Sequence, residues 1–108
     1  MSPREVALIT GASDGLGVEF ARVFSERGHD VALVARRGDR LEALADEIAA
    51  KGKPRPIVVA MDLAPAEAAG KLASALAQAG AQVEYLVNNA GYGLNGPFAD
   101  LPIDDQLG

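Results

Sequence analysis

The sequence predicts an α/β domain: one parallel sheet in strand order 3-2-1-4 with helices on both faces. Three observations carry that prediction. Apolar runs begin near residues 6, 31, 57 and 83, so a unit recurs about every 26 residues. Amphipathic stretches of helical period separate the runs, and a glycine-rich turn, Thr10-Gly11-Ala12-Ser13-Asp14-Gly15-Leu16-Gly17, joins the first run to the first helix. Alternating strands and helices imply a parallel sheet. Right-handed crossovers place the first two helices on one face. A reversal of strand order after the third strand moves the third helix to the other face and opens a ligand crevice between strands 1 and 4, at their carboxyl ends.

Each element has its own warrant. Residues 5–10 form a strand buried on both faces, because Val6-Ala7-Leu8-Ile9 barely alternates. Residues 15–27 form a helix with Leu16, Phe20, Ala21, Val23 and Phe24 on its apolar stripe and Glu19, Arg22 and Glu26 off it. Gly28 ends it. Residues 31–35 are a second buried strand, and residues 39–51 a second helix. Its Leu41, Leu44, Ala45, Ile48 and Ala49 follow the helical spacing, and Gly52 closes it. Pro54 and Pro56 mark a loop before the third strand, 57–60. Pro65 suits the first turn of a third helix that runs to Gln78, with Ala69, Leu72, Ala73 and Leu76 inward and Gly80 after it. Val83–Val87 is the fourth strand. Turn formers follow at Gly93, Asn95, Gly96 and Pro97, and Pro102 with two acids after it reads as the start of a helix.

Length and composition bound the function. The 108 residues make one domain at most. The net charge is −5 and no basic cluster exceeds Arg36-Arg37, which argues against nucleic acid. With no cysteine there is no disulfide and no cysteine-based metal site. His29 is the only histidine and sits beside Gly28 in a turn, so no metal site is expected. No apolar stretch is long enough to span a membrane, and Met1–Glu5 carries no signal-peptide apolar region. A cytoplasmic protein is expected.

The glycine turn has a chemical reading. Gly11 lets the chain leave the strand through a turn that favours positive φ. Gly15 leaves room for a pyrophosphate at the main chain, and Gly17 removes a Cβ where the helix packs closest to the sheet. Free N–H groups at the helix start, with the helix dipole, then face the phosphates. This is dinucleotide-binding logic with Gly-x-x-x-Gly-x-Gly spacing. A sharp strand-to-helix turn without a ligand is the plain alternative. Arg36 and Arg37 end the second strand, where an acid would hold the ribose 2′-hydroxyl of NAD. A guanidinium instead forms paired, charge-assisted bonds to a 2′-phosphate. NADP(H) is therefore expected in preference to NAD(H). Asp14 is a contrary sign, and a solvated basic pair at a helix start is the alternative for the arginines.

With the turn, Asp62-Leu63 after the third strand and Asn88-Asn89-Ala90-Gly91 after the fourth in view, the chain resembles the amino-terminal part of the short-chain dehydrogenase/reductase family. The resemblance runs through all 108 residues and implies a Rossmann-type domain that is incomplete relative to the family's full domain. It also implies roles. Gly11, Ser13, Gly15, Leu16 and Gly17 would line the adenosine phosphates. Asp62 would accept a hydrogen bond from the adenine amino group, with Leu63 beside the ring. Asn89, Ala90 and Gly91 would lie along the adenosine ribose, while Asn88 ties strand 4 to its neighbours. The alternatives are a helix cap for Asp62 and an ordinary asparagine-rich turn for Asn88-Asn89.

The family's catalytic Tyr-x-x-x-Lys pair is not in these residues. The tyrosines are Tyr85 and Tyr92, followed four positions later by Asn89 and Gly96. The resemblance thus implies the NADP(H)-binding portion of an oxidoreductase acting on a carbonyl or alcohol substrate, with no catalytic residue in 1–108. The isolated chain is expected to be inactive and to self-associate through the edge of strand 83–87. A non-catalytic nucleotide-binding module and a subunit completed by a second chain are the competing readings. A P-loop enzyme is disfavoured, since the turn has no Gly-Lys-Ser/Thr and the first lysine is Lys51. A methyltransferase is disfavoured by the absence of an acid at the end of strand 2. Nothing here names the substrate.

Overall fold

A computed structural model describes residues 4–13 and 15–89. Its elements are β1 (Arg4–Thr10), α1 (Gly15–Glu26), β2 (Asp30–Ala35), α2 (Gly38–Ala50), β3 (Ile57–Ala60), α3 (Ala68–Gln78) and β4 (Ala81–Asn88). The sheet runs β3-β2-β1-β4 with every pairing parallel, as the sequence predicts. The regions read for residues 92–108, including Tyr92, lie outside the described residues.

The two faces of the sheet make separate cores. On one, Ala7, Ile9, Val31, Leu33 and Val87 pack against Phe20, Ala21 and Phe24 of α1 and Leu41, Leu44, Ala45 and Ile48 of α2. On the other, Val6, Leu8, Ala32, Val34 and Leu86 pack against Ala68, Leu72 and Leu76 of α3. The continuous apolar runs of β1 and β2 are what a strand covered on both sides needs. Ion pairs tie the outer layer together. Arg22 of α1 clasps Glu47 of α2 through Nε and Nη2 at 2.7 and 2.9 Å. Hydrogen bonding from Arg22 holds the Glu47 carboxyl below its ordinary range. Arg55 donates to Glu42 and Asp46, one turn apart on α2, and its carbonyl accepts from Arg4, which also pairs with Asp30 at 2.7 Å.

Two readings are corrected. Leu16 does not join the α1 stripe; it is 55% exposed. The buried stripe is Gly17, Phe20, Ala21, Phe24 and Ser25. The first turn of α1 rests on the glycine turn rather than on the sheet, so only a glycine packs there. The third helix does not begin at Pro65. The Asp62 carboxylate takes the Ala64 N–H at 3.0 Å, and the Pro65 carbonyl accepts from Ala68 across a three-residue turn. The α-helical ladder starts only with the Lys71 N–H donating to Glu67. The chain spends its backbone groups in two tight turns before it can enter the helix.

β4 is longer than its apolar run and carries a bulge. Val6 faces Val83 across the β1–β4 ladder, yet Ala7 faces Tyr85, leaving Glu84 as the extra residue. Ala81 and Val83 therefore share the α3 face with Leu86, while Tyr85 and Val87 face α1 and α2. His29, in the turn after α1, packs its ring edge-on to Phe24 and Tyr85, both at 5.4 Å, and lies 3.6 Å from the Glu84 carboxylate.

Among the described residues, β4 pairs with β1 alone. Long, apolar, unpaired edges template pairing with another chain. The isolated 108-residue chain is expected to self-associate. Sedimentation velocity over a range of loading concentrations checks this, and a concentration-independent monomer would contradict it.

Candidate dinucleotide site

The glycine turn leaves the carboxyl end of β1, and the ends of β2 and β4 flank it. β1 lies between β2 and β4, with Thr10 in register with Val34 on one side and Asn88 on the other. The buried Thr10 hydroxyl donates to the Asn88 side-chain oxygen at 2.9 Å. Asn88 thus does what the sequence reading assigns it, tying β4 to its neighbour. One residue on, the Ala12 N–H donates to the Val34 carbonyl at 3.2 Å, and Asn89 Nδ2 donates to the Gly11 carbonyl at 3.3 Å. The turn is pinned to β2 and β4 at once.

Gly11 and Gly15 have φ of 63° and 55°, the left-handed region that side chains resist. Gly17 has a different task. A Cβ built on it would stand 2.0 Å from the Gly11 carbonyl oxygen and 2.9 Å from the Ala12 Cα. The close packing expected of Gly17 is therefore against the turn itself, not the sheet. The result is a helix whose first residues sit directly over the strand end. The N–H groups of that first turn have no intrahelical acceptor, and the first turn of α1 holds no acid among its residues from Gly15 onward. That end of the helix favours an anion. Ser13 is half-buried in the turn and Leu16 stands exposed at its rim. Asp14 lies outside the described residues.

Arg36 follows β2 directly, and Arg37 is the N-cap of α2. Both are exposed. A Cβ on Gly38 would lie 3.1 Å from Ala60 Cβ, so the start of α2 rests on the end of β3. The Met61 N–H donates to the Ala35 carbonyl at 2.9 Å, carrying the β2–β3 ladder past β3 and setting Asp62 beside the arginines in the row of strand ends. Asp62 is exposed, and its bond to Ala64 closes a local turn rather than capping α3, which begins six residues later. Leu63 is buried in the α3-side core, so its side chain belongs to packing. Ala90 and Gly91 lie outside the described residues.

Sequence reasoning tied Asn88 to its neighbours without naming its partner Thr10, and it missed two further contacts: the Val34 carbonyl under Ala12, and Arg37 Nε 3.5 Å from Asp39 Oδ1. The Thr10 and Val34 partners follow from strand register, which periodicity does not specify. The third was signalled by an acid two residues after an arginine at a helix start. Among the described residues no group of His, Cys, Asp or Glu is arranged to hold a metal, and no helix is long and apolar enough to cross a membrane.

The expected effect of Gly17→Ala is the sharpest test of this geometry. The methyl must displace the Gly11 carbonyl, which Asn89 also holds. Overpacking of this kind costs about 1–3 kcal/mol. Chemical denaturation and cofactor titration on the same preparation should show both stability and dinucleotide affinity reduced. Wild-type values for both would mean that the close approach is relieved without cost.

Residues 5–107 match the short chain dehydrogenase family. A short chain dehydrogenase of Pseudocercospora fijiensis is 39% identical over 100 residues, covering 93% of this chain and 32% of that protein. A metagenomic short-chain oxidoreductase solved in complex with NADP superimposes with a TM-score of 0.73 at 38% identity, covering 82% of this chain and 39% of that one. L-sorbose reductase from Gluconobacter frateurii, solved with NADPH and L-sorbose, gives 0.74 at 36% identity, covering 85% and 35%. The chain spans about a third of the length of the curated relatives it matches.

Proposed function

The chain belongs to the short-chain dehydrogenase family, and on that footing we propose that it forms the NADP(H)-binding portion of an oxidoreductase for a carbonyl or alcohol substrate. The observation that carries the proposal is the convergence of the glycine turn, Arg36-Arg37, Asp62 and Asn89 at the carboxyl ends of adjacent parallel strands. That is where open α/β sheets bind nucleotides. Two solved relatives with 36–38% identity hold NADP or NADPH, which supports the same class of ligand here.

In this reading, the Gly11–Gly17 turn and the N-terminus of α1 take the pyrophosphate. Their N–H groups donate to phosphate oxygens, and the absent Cβ atoms let the ligand approach the main chain. Asp62 uses the carboxylate oxygen not engaged by Ala64 to accept from the adenine amino group, and Leu63 contributes through its backbone. Asn89, Ala90 and Gly91 border the adenosine ribose. Arg36 meets the 2′-phosphate; among the described residues it makes no ion pair that would have to break first. NADP(H) is therefore the preferred cofactor over NAD(H). The bound nicotinamide supplies hydride transfer. The residues that polarise a carbonyl and move a proton to its oxygen are not among 1–108, so this portion binds and orients the cofactor, and turnover belongs to the full-length form.

Two experiments test this. Arg36→Asp should lower the preference for NADPH over NADH tenfold or more, since a charge-assisted bond contributes about 1.5–3 kcal/mol. An unchanged ratio of dissociation constants by calorimetry would remove Arg36 from the site. The purified 108-residue chain should show no NADPH-dependent carbonyl reduction. Activity that copurifies through orthogonal columns would place catalytic groups within it.

A further inference from the structure

We propose that Asp39 is a selectivity residue that restrains Arg37, so that Arg36 is the principal guanidinium open to a 2′-phosphate. The inference rests on the dinucleotide reading of the crevice and deepens it. The two adjacent arginines look equivalent in sequence, but the structure makes them unequal. Arg37 Nε lies 3.5 Å from Asp39 Oδ1, whereas Arg36 has no ion-pair partner among the described residues. Both members of the Arg37–Asp39 pair are largely in solvent, with side chains 59% and 72% exposed.

Asp39 acts through Arg37 at that place. It sits in the first turn of α2, where free N–H groups and the helix dipole favour a negative charge. From there the carboxylate draws Arg37 towards its own helix and away from a ligand lying across the strand ends. Hydrogen bonding from Arg37 is the first cause holding the Asp39 carboxyl below its ordinary range, followed in the same direction by charge attraction and backbone N–H groups. Asp39 is therefore ionised at neutral pH. Its presence lowers selectivity for the 2′-phosphorylated cofactor below what two free arginines would give.

The size of the effect is bounded by exposure. Solvent-exposed ion pairs contribute little, so release of Arg37 should change affinity by about two- to fivefold. The test is a double-mutant cycle on the full chain: wild type, Asp39→Asn, Arg37→Gln and the double variant, each titrated with NADPH and NADH at two salt concentrations. Asp39→Ser serves as a second variant that keeps a hydrogen-bonding side chain in the first turn if Asn disturbs the helix. Asp39→Asn should raise the NADPH-to-NADH affinity ratio about two- to fivefold, less at high salt. In the Arg37→Gln background the same substitution should lose most of that gain. An unchanged ratio in both Asp39 variants overturns the proposal. An equal gain with and without Arg37 also overturns it, because Asp39 would then act on the phosphate without Arg37. If the wild type binds neither dinucleotide, the reading of the crevice itself fails; if it binds NADPH and only the Asp39 variants are silent, the crevice reading stands and the role of Asp39 does not.

Discussion

The Gly11 carbonyl is the constraint on which the crevice depends. It lies so close to Gly17 that a single methyl would overlap it, and Asn89 donates to it from the end of β4. The turn, the start of α1 and, from 78 residues away, the end of β4 thus meet at one peptide group. If that group moves, α1 shifts off the strand end and β4 loses a contact at its carboxyl end. The core on the α1 face of the sheet also answers to it. The α1 stripe of Phe20, Ala21 and Phe24 reaches the sheet only because Gly17 lets the helix begin directly above Ala12.

Around that point the strand ends divide their tasks. β1 supplies the turn, β2 the arginines, β3 the acid and β4 the asparagine. The ladder places them in a row, because each parallel strand ends on the same side of the sheet. The helices fix the rest. Gly38 seats α2 against the end of β3, and the Arg55 clamp on Glu42 and Asp46 holds the far half of α2 to the loop that enters β3. Those exposed ion pairs add little energy one at a time. Their value here is geometric: they link the loop before β3, the start of β1 and the body of α2.

Much of this was legible in the sequence, for physical reasons. Strands buried on both faces write themselves as unbroken apolar runs, so β1 and β2 were placed within a residue of their bounds, and the short apolar run of the edge strand β3 marked its bounds as well. The faces taken by the helices followed from crossover handedness. The glycine turn and the strand-end residues were expected to gather, and the structure sets them at the carboxyl ends of neighbouring parallel strands. The failures were equally physical. Leu16 looked like core because helical spacing cannot tell where a helix outruns the sheet beneath it. Pro65 looked like a helix start because local propensity does not show that Asp62 and a short turn use the neighbouring backbone groups first. The inequality of Arg36 and Arg37 depends on a side-chain contact that the Arg37-x-Asp39 spacing allows but does not fix.

The bulge at Glu84 splits β4 into two independently phased halves. Asn88 and Asn89 take their alignment from Tyr85–Val87 against Ala7–Ile9, while Ala81–Val83 keeps a separate alignment with Arg4–Val6. Spacing errors at the amino end of β4 are therefore absorbed before they reach the crevice. For protein engineering this is an insulated boundary. Length changes, grafted segments or circular-permutation joints near residues 79–83 should disturb the pairing with Arg4–Val6 and the α3-side packing there, and leave the alignment of Tyr85–Asn88 with Ala7–Thr10 in place. The same change made after the bulge would turn Asn88 and Asn89 away from Thr10 and Gly11. A one-residue irregularity thus marks where the polypeptide is negotiable and where it is not.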